Sequence, residues 1–264
     1  MPEKILDCSS TSQTYGSLEN IVGIPEYDLR NFIRACNLDS LLATSDGHQY
    51  HGHLFLESLA KAFSPPLNFD ATVWFHLTRA AANTSFDEGI LPLCDAIDSI
   101  WNFLFNLASV FSVSPEHWLN FRTEMETGHA GHSSSLYSHK MSHEVGPFAV
   151  LIRDAAFRSQ DIGNHDYLNT PEIIEDICIT FKKLHSLDLM PEFLKATQPC
   201  IVKFRDAQTE PYHLGIALYY LYLSARDESL TDEATTCFDG AGVRVARDQI
   251  LDIQFLPEYD TQTA

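Results

Sequence analysis

Apolar and polar positions alternate with two periods along the chain, and the switches between them predict its elements. Helical spacing over Tyr27–Cys36 and Leu54–Phe63 predicts two helices, after which Ser64-Pro65-Pro66 breaks the chain. Val73–Leu77 is short, aromatic and β-branched, so it predicts a strand, and Asn83–Asp87 a turn. Ile97, Ile100, Trp101, Leu104 and Ala108 recur at helical spacing, with Asp95 and Asp98 in an acidic first turn. Ser114-Pro115-Glu116 reads as a helix start, with Ser as N-cap and Pro at the first position. Phe148–Ile152 is an apolar strand. Thr170-Pro171-Glu172 opens a helix whose buried stripe is Ile173, Ile177, Phe181 and Leu184. Cys200–Phe204 predicts a strand, and Leu214–Ala225 a helix with Leu214, Ala217, Leu218 and Leu221 on one face. Thr235–Phe238 and Ile250–Phe255 predict the last strands. In the latter Leu251, Ile253 and Phe255 alternate with Asp252 and Gln254, which predicts one solvated face.

Two stretches lack either period. Residues 1–20 are rich in Ser, Thr, Gln and Asn, which predicts a flexible terminus; a translocation leader can share that composition. Residues 127–145 carry Gly, Ser and four His, and read as a polar loop too long for an idle connector. These features divide the chain into a flexible terminus (1–20), a helical extension (21–66) and a core domain (67–264). Short strands separated by irregular helices indicate an α+β fold, not a doubly wound Rossmann sheet.

Charge narrows the partners. Lys plus Arg number 17 against 36 Asp plus Glu, a net charge of −19 over 264 residues. Contacts to phosphates need clustered Lys and Arg, so nucleic acid and anionic membrane surfaces are disfavoured. A basic protein partner fits, and so does a role in solubility alone. The six cysteines are widely spread with no CxxC pair, and Cys178 and Cys200 sit in apolar segments. That pattern reads as reduced, buried thiols in a cytosolic protein. No apolar run is long enough to span a bilayer, and no basic-then-apolar leader opens the chain.

Common chemical motifs are missing. Gly240-Ala241-Gly242 is only GxG, there is no phosphate loop or GxSxG elbow, and His143-Glu144 lacks the second His of HExxH. Two histidine clusters stand out: His48, His51 and His53 with Glu57, and His129, His132, His139 and His143. Such spacings suit Zn²⁺, Ni²⁺ or Fe²⁺, and are equally common in solvated loops, so no metal ligand is assigned. A His-rich metal enzyme using the 129–143 stretch stays open as an alternative.

One constellation goes further. Trp74-Phe75-His76-Leu77-Thr78-Arg79, followed after a polar interval by Phe86-Asp87-Glu88-Gly89-Ile90-Leu91-Pro92-Leu93, resembles the opening of the ADP-ribosyltransferase superfamily. There a strand with a His-x-Thr-like step leads to a Gly-Ile/Leu turn, a layout shared by RNA 2′-phosphotransferases and by the catalytic domains of poly-ADP-ribose polymerases. Tyr167-Leu168-Asn169-Thr170 resembles the family's Tyr step before a helix. Glu233, ahead of Thr235–Phe238 and Val243–Ile250, resembles its late Glu. The likeness spans roughly residues 72–256, with His76, Tyr167 and Glu233 in the family's His-Tyr-Glu order.

The resemblance implies split antiparallel sheets surrounded by helices, NAD⁺ as substrate, and transfer of ADP-ribose to a protein acceptor by a bacterial toxin or effector. Such a protein acts in the bacterial cytoplasm or in a host cytosol, and an acidic chain suits a basic-faced acceptor such as ubiquitin. It also implies roles. Glu233 stabilises the oxocarbenium-like ribose, with Glu228 as its rival. Tyr167 stacks on nicotinamide, His76 bonds a ribose hydroxyl, and Thr78 and Arg79 hold carbonyl and pyrophosphate groups. A non-catalytic binding or immunity protein on the same fold is the other class that the sequence leaves open.

Overall fold

The computed structural model describes residues 2–43, 50–143 and 146–257, apart from the side chain of His143. In chain order the elements are β1 (Ile5–Leu6), α1 (Thr11–Val22), α2 (Glu26–Ala35), α3 (Leu38–Ala43), α4 (His51–Phe63), β2 (Ala71–Ala80), α5 (Leu93–Ala108), α6 (Pro115–Glu126), α7 (His132–His143), β3 (Phe148–Val150), α8 (Glu172–His185), α9 (Met190–Ala196), β4 (Gln198–Asp206), α10 (Pro211–Ser224), β5 (Cys237–Asp239) and β6 (Ile250–Phe255). The class is α+β. The strands form one six-stranded sheet in the order β5-β3-β2-β4-β6, with β1 added beside β2. The β2–β3 pair is antiparallel, with Phe75 opposite Val150, whereas β1 runs parallel to β2. No helix among the described residues is long and apolar enough to cross a membrane.

The chain divides into two compact units. The first comprises Met1–Phe75, Ala149–His165 and Lys203–Phe238, and the second His76–Phe148, Asp166–Val202 and Asp239–Ala264. Four of the divisions fall inside β2, β3, β4 and β5, and the fifth falls between His165 and Asp166, ahead of α8.

In the first unit α10 is the central helix. Every residue from His213 to Leu223 is buried, so the helix is apolar all round and needs cover on every side. α4 lies closest to it: a Cβ on Gly215 would stand 2.1 Å from the Gly52 carbonyl oxygen. The N-terminal segment is ordered, contrary to its composition. Ile5 and Leu6 pair with Ala71 and Thr72. Ser10 caps α1 by accepting from the Gln13 amide, and Tyr15, Leu18, Ile21 and Val22 are buried along one side. That stripe has helical spacing, but it is set among Ser, Thr, Gln and Asn, which hides it from a compositional reading.

The second unit is built on α5, α6, α7, α8 and α9 around Trp101, Trp118, Phe121, Phe181 and Phe193. The expected polar loop at 127–145 is largely α7. Two side chains tie this helix down: Tyr137, whose hydroxyl accepts from the Trp101 indole at 2.9 Å, and Lys140, which bridges Glu172 and Asp176 at 3.1 and 2.8 Å. Anchoring by polar groups leaves no apolar stripe to read. Three finer expectations also change. Ser114 caps α6 as read, but the residue before α8 is Pro171, and the Thr170 hydroxyl faces the Met190 sulfur instead. Asp232–Thr235 is a 3₁₀ turn, so β5 begins only at Cys237, and Leu251 of β6 is exposed where burial was expected.

Candidate functional site

His76 and Thr78 occupy alternate positions of β2 and so share one face, while Arg79 faces the other way. The His76 Nδ1 lies 2.7 Å from the Phe148 carbonyl oxygen. A carbonyl can only accept, so Nδ1 carries the proton and the neutral ring keeps a lone pair on Nε2. Although part of its surface is accessible, the ring is densely surrounded by protein. Desolvation lowers its pKa, and the bond to Phe148 opposes that shift only in part. The imidazole is therefore an oriented, neutral hydrogen-bond acceptor. Thr78 is half-buried, and its hydroxyl makes a long contact of 3.4 Å to the Arg79 carbonyl oxygen.

Arg79 is not available for a pyrophosphate. It is buried; its Nε donates to the Thr197 hydroxyl, Nη1 to the Leu168 carbonyl, and Nη2 to the Leu194 and Thr197 carbonyls, at 2.9–3.2 Å. This corrects the ligand role assigned to it. The strand period already carried the signal, because Arg79 is out of phase with His76. The new role still concerns the site. By holding Leu168, which is fully buried, Arg79 fixes the turn that carries Tyr167 to the strand that carries His76. Tyr167 is half-buried in that turn, ahead of α8.

The Gly89-Ile90 step also has a structural reason. Gly89 has φ +85°, and a Cβ there would lie 2.0 Å from the Val245 oxygen. Ile90 and Val245 exchange both backbone hydrogen bonds, at 2.9 and 3.0 Å. Only glycine permits that approach.

Glu233 belongs to the first unit, in the 3₁₀ turn before β5. Its carboxylate caps α4 from a distance in sequence: Oε1 accepts from the His51 amide at 2.8 Å, and Oε2 from the Gly52 amide at 3.0 Å and the Tyr212 hydroxyl at 3.3 Å. The His51 Nδ1 stands 2.7 Å from Oε1, at ion-pair distance but outside hydrogen-bond alignment. The Glu233 side chain is 8% exposed. Burial, then the charge and hydrogen bond of Glu233, push the Tyr212 hydroxyl well above its ordinary pKa. Sequence reasoning did not find this knot, because His51 and Gly52 lie about 180 residues from Glu233. Glu228, the rival carboxylate, is exposed.

The histidine clusters disperse. His129, His132 and His139 are exposed, and His48 and the His143 side chain lie outside the described residues. Among the described residues, no three His, Cys, Asp or Glu side chains are grouped to hold a metal. His53 lies tilted against Tyr212 with centroids 4.4 Å apart, and Glu57 is exposed. All six cysteines are free thiols, and burial pushes those of Cys178 and Cys200 up to about 12, so they are inert. Comparison of the chain with protein-family models, curated proteins and solved structures finds no match.

Proposed function

We propose that the second unit holds NAD⁺ on the His76–Thr78 face of β2, and that the protein is a mono-ADP-ribosyltransferase. Its acceptor is a protein with a basic surface, of which ubiquitin is one example, and its setting that of a toxin or secreted effector. The observation that carries this reading is His76. A neutral imidazole whose Nδ1–H is taken by Phe148 presents Nε2 to accept from a ribose hydroxyl. Tyr167 lies in a turn tethered to the same strand through Arg79, in keeping with a ring that stacks on nicotinamide. Thr78, in phase with His76, offers a hydroxyl to the carboxamide. The finer ADP-ribosyltransferase fold is part of the same proposal.

In the reaction the bond between nicotinamide and ribose C1′ breaks, and nicotinamide leaves with the electron pair. The acceptor oxygen or nitrogen attacks C1′ and gives up its proton. Glu233 is the carboxylate that this reading assigns to the charged ribose. Its commitment to the α4 amides favours a second reading, a non-catalytic nucleotide-binding protein on the same framework.

Incubation with labelled NAD⁺ and a cell lysate tests both. Catalysis predicts label on protein with wild type and its loss with His76→Ala and with Glu233→Gln, each checked by thermal melting. The binding reading predicts no transfer, NAD⁺ binding by calorimetry, and loss of that binding in His76→Ala alone. Neither transfer nor binding by wild type removes both.

A further inference from the structure

A second polar site lies within the second unit, apart from the face of β2 just described. His117 stands in the first turn of α6, on the residue whose amide donates to the Ser114 cap at 3.2 Å. His185 ends α8. The two meet in a hydrogen bond, one ring donating and the other accepting: His117 Nε2 lies 3.1 Å from His185 Nδ1, with ring planes 71° apart. They open on a cavity of about 480 Å³ that Glu116, Asn120 and Glu124 also line.

Three features make this more than a chance contact. The nitrogen separation is that of two imidazoles on one cation: metal–nitrogen bonds of about 2.0–2.1 Å at angles near 95–110° put the nitrogens about 3.0–3.4 Å apart. The His185 ring is held: it packs edge-on against Phe121 and at a tilt against Phe181, with centroids 5.6 and 4.7 Å away, and the exposed His117 ring meets it edge-on with centroids 4.4 Å apart. Finally, the surroundings are anionic: Glu116 and Glu124 line the same cavity, and because the His185 Nε2 is closed off from solvent, Nδ1 is the nitrogen left to bind. Two imidazoles beside two carboxylates suit a first-row divalent ion.

We propose that His117 and His185 form a binding site for a divalent transition-metal cation of the Zn²⁺ or Co²⁺ class. The two imidazoles supply the protein ligands. No third His, Cys, Asp or Glu of the described residues is close enough to complete a set, so water or an incoming group fills the remaining positions. Such a site is open and of moderate affinity. This inference does not depend on the NAD⁺ reading.

The test is calorimetric titration of metal-stripped full-length protein with Zn²⁺, and with Co²⁺ followed by its visible absorption. Wild type takes up one equivalent at this site. His117→Ala, at an exposed position that the fold tolerates, weakens binding roughly tenfold or more, as does His185→Gln. His139→Ala, exposed on α7, leaves it unchanged. Absence of uptake by wild type overturns the proposal. So does uptake that survives His117→Ala and His185→Gln, which would assign the ion to other histidines.

Discussion

Glu233 links a residue read for chemistry to a role in architecture. A carboxylate that accepts from two backbone amides at the start of α4 does what an N-cap side chain does, from another part of the chain. Glu233→Ala leaves two amides and the Tyr212 hydroxyl without partners at a site almost closed to water. The expected cost is about 1–3 kcal/mol, read as a lower urea midpoint. Glu233→Gln keeps an acceptor oxygen and loses less. Equal stability of Glu233→Ala and wild type would reject the capping role. His76 was legible in sequence because a polar ring interrupting an aromatic strand is conspicuous. Arg79 was only half legible: its nearness to His76 was plain, but its contacts at Leu168, Leu194 and Thr197 come from folding. Glu233 was named for its order in the chain, and nothing local announces that its partners are His51, Gly52 and Tyr212.

Elements were legible where apolar spacing stabilises them. α2, α4, α5, α6 and α8 follow from their stripes and starts, and β6 was found residue for residue. α1 and α7 were missed because hydroxyls, a tyrosine–indole bond and a buried lysine share the anchoring. The crossing of α4 and α10 yields a sharp prediction. With a Cβ only 2.1 Å from the Gly52 oxygen, Gly215→Ala cannot be absorbed by a rotamer change, since the clash is with backbone. Alanine is the better helix former, yet the helices must part, and the expected net loss is about 1–3 kcal/mol in urea unfolding. A gain in stability would show that the two helices do not approach so closely. The start of α10 responds to pH. His213 is buried, and its Nδ1 accepts from the Glu210 amide at 3.4 Å, so it must be unprotonated. Burial lowers its pKa, with Glu210 opposing. A lowered folded-state pKa means that the unfolded chain binds the proton first. The stabilisation is therefore full above the ordinary histidine value near 6.5 and is lost as pH falls below it. The urea midpoint of wild type should drop between pH 7.5 and pH 5 more steeply than that of His213→Gln, which accepts the same bond without titrating. Parallel curves would exclude His213 as a contributor.

At the scale of the molecule the dominant quantity is the charge of −19. Two effects of salt oppose each other. Screening weakens attractive surface pairs such as Arg30–Glu26 and Lys182–Asp188, each of which is worth only a few tenths of a kcal/mol when exposed. Screening also relieves repulsion among the acids that have no basic partner, and with 36 acids against 17 bases these form the majority. Repulsion falls off over a Debye length of about 10 Å at 0.1 M salt, so it acts between many carboxylates at once, whereas each ion pair acts alone. The repulsive part wins, and added NaCl should stabilise the fold. The melting temperature should rise from about 10 mM to about 200 mM NaCl by ~2–4 °C for each kcal/mol of repulsion removed. A flat or falling melting temperature would mean that local ion pairs, such as Lys140 between Glu172 and Asp176, outweigh the net charge. The same field bears on the acceptor. On the proposed transferase reading with a basic-faced acceptor, added salt should slow transfer while it stabilises the protein, because it screens the attraction between the two proteins and the repulsion within one. An acceptor whose labelling rate rises with salt over that range is not recognised through charge.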